Sequence, residues 1–465
     1  MHSSEHDSRT SHAQRRALAL IAALVMTLVA SCTPPPEEPV LLTRLENGGF
    51  ELGTERPGFW SARPGAGAST SWDREHVHSG GRSVKVHHPQ PAESWWQQSA
   101  VIAVDPHSVY DLEGWVRTEN VSVQSGGRRA GAGIDVVGPS PTIGYDGLVG
   151  DNDWTFQRVR FNTHDADQVL VRAGLGEYGP ATGTAWFDDL VLRKVEPGAD
   201  TDWHIQVLIY ESTDFTFTGS DGTPQHVVAA MSEDERATAA ARATTFVEDD
   251  IPALTSGMVE PTVTVEHVTR PLTRLSPENG GFSPAPGDVA EDVDPTADSV
   301  IVIWDPRGVD ADSGEPVWIG AAAGLSYWRG TGQLYFAMII EAAAQYPHRN
   351  VFKHEWGHSI VFYFDALGVS PRPPVEVHAQ PDQYVNCHTG EPYVWLDELE
   401  GAPIPNSIYN NLSGFTHDYY SGTIATSGDP KTCIGITPEA WSFGGPGLPT
   451  ASSAPPSGAG RRPVP

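Results

Sequence analysis

Hydrophobic and polar residues alternate with a period of two through much of the segment 41–197. The clearest runs are 83–87, 109–116, 169–173 and 185–192, each bounded by Gly, Pro, Asn or Asp. Period two sends successive side chains to opposite faces of a strand. Turn residues at short intervals then separate strand from strand. No stretch of this segment keeps the helical period. The pattern predicts an all-β sandwich of the jelly-roll type.

The pattern changes after Trp203. A strand is expected at 204–210. Ser232-Glu233-Asp234-Glu235 opens a helix with acids in its first turn, running to about residue 246. A β-branched run at 263–268 predicts another strand, and a Pro/Gly/Asp-rich loop follows from about 275 to 297. The run 299–304, apolar after Ser299, predicts a buried strand, and 333–340, apolar after Gln333, predicts a further strand. An apolar helix comes next, stopping at Gly368 with Pro371 beyond. The expected fold is therefore multidomain: the β-sandwich at 41–197, then an α+β domain at 202–443. Residues 444–465 are mostly Gly, Pro, Ser and Ala, and are expected to form a disordered tail that buries no core.

The N-terminus adds compartment. Arg15 and Arg16 precede an apolar run at 17–30 broken only by Thr27. That run is short for a membrane span and suits the core of a signal peptide. It ends Leu28-Val29-Ala30-Ser31-Cys32, which resembles the lipobox of bacterial lipoproteins, so residues 1–32 are expected to be a signal with Cys32 lipidated. A Pro-rich tether, 33–40, follows. The remaining cysteines, Cys387 and Cys433, form one pair, and in an exported protein a disulfide is the expectation. The formal net charge of −30 argues against a nucleic-acid partner. The expected location is extracytoplasmic, anchored to the bacterial cell membrane or secreted.

The chemistry centres on His354-Glu355-Trp356-Gly357-His358. Residues four apart share a helix face, so both imidazoles can reach one tetrahedral Zn²⁺. Glu355 is placed to take a proton from the attacking water and pass it to a leaving amine. The spacing is the H-E-x-x-H signature, and the domain resembles zincin peptidases in its order of strand, helix, three strands and active helix. The metzincin continuation fails, since Val361 and Phe364 stand where its Gly and third His belong. The third ligand is left among Asp365, His378, Glu398 and His417. His417 and Tyr419 are also candidates for stabilising the oxyanion.

A second resemblance lies in the sandwich. Asn47-Gly48-Gly49-Phe50-Glu51 with Pro57-Gly58-Phe59-Trp60, then His78-Ser79-Gly80-Gly81-Arg82-Ser83-Val84, then Trp154, then Gly183-Thr184-Ala185-Trp186-Phe187-Asp188-Asp189, resemble carbohydrate-binding modules of the family 4/9 type. The resemblance implies a structural Ca²⁺ held by Glu51 with Asp188 or Asp189. Sugar clefts stack aromatic faces on pyranose rings. Trp95 and Trp96, adjacent on a strand, point to opposite faces, so one of them is a candidate platform.

Together these residues predict a zinc metalloendopeptidase-like hydrolase acting on peptide or protein, with water activated by Zn²⁺ and Glu355. It would carry a module for which glycan is a candidate partner, and a lipid anchor in the membrane. The alternative from another class is a non-catalytic glycan- or surface-binding lipoprotein. A third reading keeps the zinc and cleaves cell-wall amides.

Overall fold

The computed structural model describes residues 45–123, 131–138, 147–198, 202–219, 222–278, 280–327, 333–346, 349–370, 384–390 and 417–448. Cys32, the tether, His378, Glu398 and residues 449–465 lie outside the described residues. Among the described residues no helix is long and apolar enough to cross a membrane.

Ten strands build the first half. They are β1 (Trp60–Arg63), β2 (Ser69–Asp73), β3 (Ser83–Ala92), β4 (Ser94–Gln98), β5 (Ile102–Ala103), β6 (Val109–Val123), β7 (Ala132–Val137), β8 (Gly150–Asn162), β9 (Gln168–Leu175) and β10 (Ala181–Lys194). One sheet runs β1-β4-β9-β5, with β7 also paired to β9; the other runs β2-β3-β10-β6-β8. The alternation seen in the sequence has its cause here. Val84, Val86, Leu112, Val116 and Phe187 meet Trp96, Ile134, Val136, Val169 and Val171 across one shared core. Each such side chain contributes about 1.5–3 kcal/mol on burial.

The second half contains β11 (His204–Tyr210), β12 (Ser212–Thr218), β13 (Pro224–Ala230), β14 (Thr262–Val268), β15 (Ser276–Glu278), β16 (Gly281–Ser283), β17 (Ser299–Trp304), β18 (Arg307–Asp310), β19 (Pro316–Trp318), β20 (Gly324–Ser326) and β21 (Leu334–Ile339). Its main sheet has the order β14-β11-β17-β21-β20. The first four are parallel, and β20 runs antiparallel on the edge beside β21. Parallel strands are covered on both faces, which is why β17 and β21 are buried throughout and apolar apart from Ser299. Between β11 and β14 lies the helix Glu233–Thr245. Its N-cap Ser232 accepts from Glu235 N while the Glu235 side chain accepts from Ser232 N, a reciprocal capping box.

The helix Asn350–Leu367 follows β21 and ends at Gly368 in the left-handed conformation (φ 68°). It buries Phe352, Trp356, Ile360, Tyr363, Phe364 and Leu367. Phe352 stacks on Phe246, and Trp356 stacks on Tyr420 and Trp441. Beyond it, β22 (Tyr384–Asn386), β23 (Ile424–Thr426) and β24 (Asp429–Ile434) form a small antiparallel sheet. Cys387 and Cys433 are joined in a disulfide, as the cysteine count predicts.

One expectation is corrected. The tail does not begin at 444, because residues 444–448 are packed into the fold. Gly447 N donates to Asp298 and Leu448 N to Pro295 O. A Cβ at position 445 would sit 2.3 Å from Asp298 Oδ1, so the same glycine that reads as disorder is what lets the backbone close in. These residues also touch the sandwich. Arg160 on β8 donates to Phe443 O at 2.5 Å and Gly445 O at 3.3 Å, and Tyr363 Oη on the long helix donates to Gly444 O.

Candidate functional site

His354 and His358 lie one turn apart on the partly exposed side of the long helix. Their Nε2 atoms approach to 3.2 Å. Two bonds of about 2.0–2.1 Å meeting at a tetrahedral angle place ligand nitrogens about 3.3 Å apart. The pair therefore has the spacing of two ligands on one Zn²⁺, which is the fit this donor set shows.

Glu355 points towards edge strand β20 and is 7% exposed. Ser326 Oγ lies 2.6 Å from Glu355 Oε2 and 2.6 Å from its backbone O. Burial pushes the carboxyl up to about 7, with the Ser326 hydroxyl pulling the other way. Space for the glutamate comes from Gly324: a Cβ there would be 2.5 Å from Glu355 Cγ. Neither Ser326 nor Gly324 was singled out from the sequence. A short Gly-x-Ser strand is the only local signal they leave.

The described third-ligand candidates do not join the pair. Asp365 is exposed at the C-terminal end of the helix. His417 Nε2 lies 2.9 Å from Ser256 Oγ and its Nδ1 is 3.7 Å from Asp418 Oδ1. Among the described residues, no third His, Cys, Asp or Glu gathers with these two imidazoles within 4.8 Å. Tyr419 is 2% exposed in the core. Tyr420 Oη donates to Lys353 O at 2.6 Å. The segment 417–420 thus braces the long helix from its apolar side. His388 gathers with Cys387 and Cys433, but both sulfurs are spent in the disulfide.

In the sandwich, Glu51, Asp188 and Asp189 converge on the turn 78–82. Glu51 Oε1 accepts from Gly81 N and Arg82 N at 2.8 and 2.9 Å. Asp188 Oδ2 accepts from His78 N and Ser79 N, and Asp189 Oδ2 lies 2.7 Å from His78 Nδ1. The three acids clasp the start of the sandwich to its last strand through these bonds. Their oxygens do not gather as a trio within 4.8 Å. Asp188 is fully buried, and burial together with Asp189 pushes its carboxyl up to about 8.

Trp95 and Trp96 divide as strand geometry requires. Trp96 enters the core at 4% exposure and donates to Lys85 O at 3.2 Å. Trp95 faces outward beneath Arg172, whose Cζ lies 4.8 Å from the ring centroid. Of the two, Trp95 is the one available as a platform.

No protein-family model matches the chain, and no curated protein does. Similar solved structures include the enzymatically active domain of bacteriophage CBA120 tailspike protein 4, with 14% identity and a TM-score of 0.26 over 33% of this chain and 21% of that one. The chain thus spans about a fifth of that domain's length. TmCBM61 in complex with β-1,4-galactotriose shows 17% identity and a TM-score of 0.24, covering 33% of this chain and 98% of that one. The CBM22-1 xylan-binding domain from Paenibacillus barcinonensis Xyn10C shows 17% identity and a TM-score of 0.23, covering 32% and 91%. The β-sandwich itself stands on the strands of this chain.

Proposed function

We propose that this chain is a zinc-dependent extracytoplasmic peptidase of the zincin type, held at a membrane through lipidated Cys32 and carrying a β-sandwich that binds glycan. The observation that carries the enzyme reading is the convergence of His354 and His358 Nε2 at 3.2 Å with a buried carboxylate, Glu355, on the next residue. Zinc held there would polarise a substrate carbonyl and acidify water. Glu355 takes the proton from the attacking water and returns it to the leaving amine. Ser326 hydrogen-bonds that carboxylate beside β20, the edge strand of its sheet among the described residues and a place where an extended peptide would pair.

The second reading is a non-catalytic glycan- or surface-binding protein, which draws on the sandwich and its outward-facing Trp95. Metal analysis and hydrolysis of a generic protein substrate separate the two. The expected result is one zinc per chain, lost in His358→Ala. Glu355→Gln should keep the zinc and lose hydrolysis by at least about 10²-fold, the scale of general acid–base catalysis. A wild-type chain that binds no zinc sinks the enzyme reading.

A further inference from the structure

A cleft of about 540 Å³ opens between the ends of two hairpins, β12–β13 and β15–β16. None of its described lining residues belongs to the helix that carries the histidines. The volume falls in the range of small-ligand sites, about 300–1,000 Å³. Its apolar walls follow from strand register. Phe217 sits beside Gln225 across the β12–β13 pair, and both line the cleft. The rings of Phe217 and Phe282 cross at 56° with centroids 4.8 Å apart, and Phe215 packs against both at 5.6 and 4.9 Å. Phe215 is buried, whereas Phe217 and Phe282 stay half-buried and line the opening.

The far wall is fixed by backbone pairing. Phe282 N donates to Ile319 O at 2.8 Å, and Ala321 N donates to Phe282 O at 3.1 Å. Gly281 permits that approach, since a Cβ there would lie 2.7 Å from Gly320 O. At the rim stands Glu278, half-buried, the one charged side chain that lines the cleft among the described residues. The basic side chains shortly before it in the chain are directed elsewhere: Arg270 pairs with Glu291 at 2.8 Å and Arg274 approaches the same carboxylate at 3.8 Å. The Tyr327 hydroxyl lies beside Ser283 and Glu278, and burial pushes it up to about 12, so it stays neutral and brings Glu278 no counter-charge.

We propose that this cleft is a docking site for an arginine side chain of a peptide. The apolar stem lies between Phe217 and Phe282, the guanidinium meets an aromatic face, and its fork of N–H groups donates to the Glu278 carboxylate and the Gln225 side-chain oxygen. A neutral sugar fits the walls less well, because two rings crossed at 56° present no single flat platform. One run of chain ties the cleft to Glu355. Residues 319–321 hold Phe282, and Ser326, five residues past Ala321, bonds Glu355. Five residues span at most about 18 Å, so a peptide lying on β20 is within reach of the cleft. The inference rests on reading a peptide as the partner and names the side chain recognised.

The test is calorimetric titration of the full chain near neutral pH, with a zinc chelator present so that no probe is cleaved. The probes are a blocked glycine pentapeptide with arginine at its centre, the same peptide with citrulline there, and a β-1,4-galactose tetramer. Citrulline keeps the shape of arginine and removes its charge. The arginine peptide should bind at least about tenfold tighter than the citrulline one, the scale of a hydrogen bond to a charged group. Glu278→Gln, checked for folding by its melting temperature, should bring the two within about twofold. Phe217→Leu, which keeps the apolar wall and removes the ring, should weaken the arginine peptide by about threefold or more. Equal binding of the two peptides overturns the inference, as does an arginine preference that survives Glu278→Gln, or tighter binding of the galactose tetramer than of either peptide. None of these outcomes bears on the zinc reading, which stands or falls on the metal and hydrolysis measurements.

Discussion

Arg160→Met should uncouple the sandwich from the long helix. Arg160 grips Asp111 through two bonds, Nε–Oδ1 at 2.8 Å and Nη2–Oδ2 at 3.1 Å, with side-chain exposures of 3% and 0%. Its third nitrogen holds Phe443 O and Gly445 O. Breaking a buried pair from one side costs about 3–5 kcal/mol, because the other charge stays buried. Here Arg193 Nη2 remains 3.2 Å from Asp111 Oδ2, so the lower end, about 3 kcal/mol, applies. Asp111→Asn should cost a similar amount. The double variant should lose much less than the sum, with a coupling of about 2 kcal/mol.

Burial pushes the Asp111 carboxyl up, but Arg160, Arg158 and Arg193 hold it below its ordinary value. The contribution of the pair is therefore present above the unfolded carboxyl's value of about 3.9 and lost as pH falls below it. Urea unfolding at neutral pH, followed by tryptophan fluorescence and by calorimetry, measures all four variants. Arg160→Met should lower the melting temperature by roughly 5–10 °C and split the transition in two. Additive single effects would refute the claim that Arg160 and Asp111 act as a buried pair, and a single unsplit transition in Arg160→Met would refute the claim that Arg160 ties the two halves together.

Two further outcomes follow from the same reasoning. Replacing Cys387 and Cys433 by Ser frees a loop of 46 residues, and the chain-entropy relation puts the loss at about 4 kcal/mol; a melting temperature indifferent to reductant would contradict it. Asp188 is raised to about 8 from an ordinary 3.8, so the folded state binds the extra proton and stability should fall as pH rises from about 4 to 8. Asp188→Asn should flatten that fall in denaturation curves, and added calcium should cancel it if the clasp binds the ion. A melting temperature unmoved by calcium rules the clasp out as a calcium site.

The sandwich was legible because one face of each strand is buried, and burial writes period two into the residues themselves. The same holds for the apolar runs of β17 and β21 and for the box at Ser232. Hairpin β12–β13 was missed, although Thr213 to Thr218 alternate and Asp221-Gly222 is a turn signal. Other features have no local trace. Asp135 and Arg172 are neighbours only through the register of β7 on β9, a pairing that the text of the chain does not encode. The segment 444–448 reads as linker because composition reports what side chains can bury, whereas here it is the bare backbone that packs.

The HEWGH helix shows how local and distant information divide within one site. The two histidines are fixed by helix geometry alone, since any helix brings i and i+4 together. The glutamate is different. A carboxylate 7% exposed in a helix this apolar is tolerated only with a partner. That partner is a serine 29 residues earlier, on a strand that also had to have glycine two residues before it to leave room for the side chain. A metal pair on a helix needs no such arrangement, and a solvated glutamate would need no serine. The side chain is buried, bonded and given space on the edge strand where a peptide backbone would lie. That is the arrangement expected of a group whose position relative to substrate matters, and it favours an acid–base role for Glu355 over a structural one.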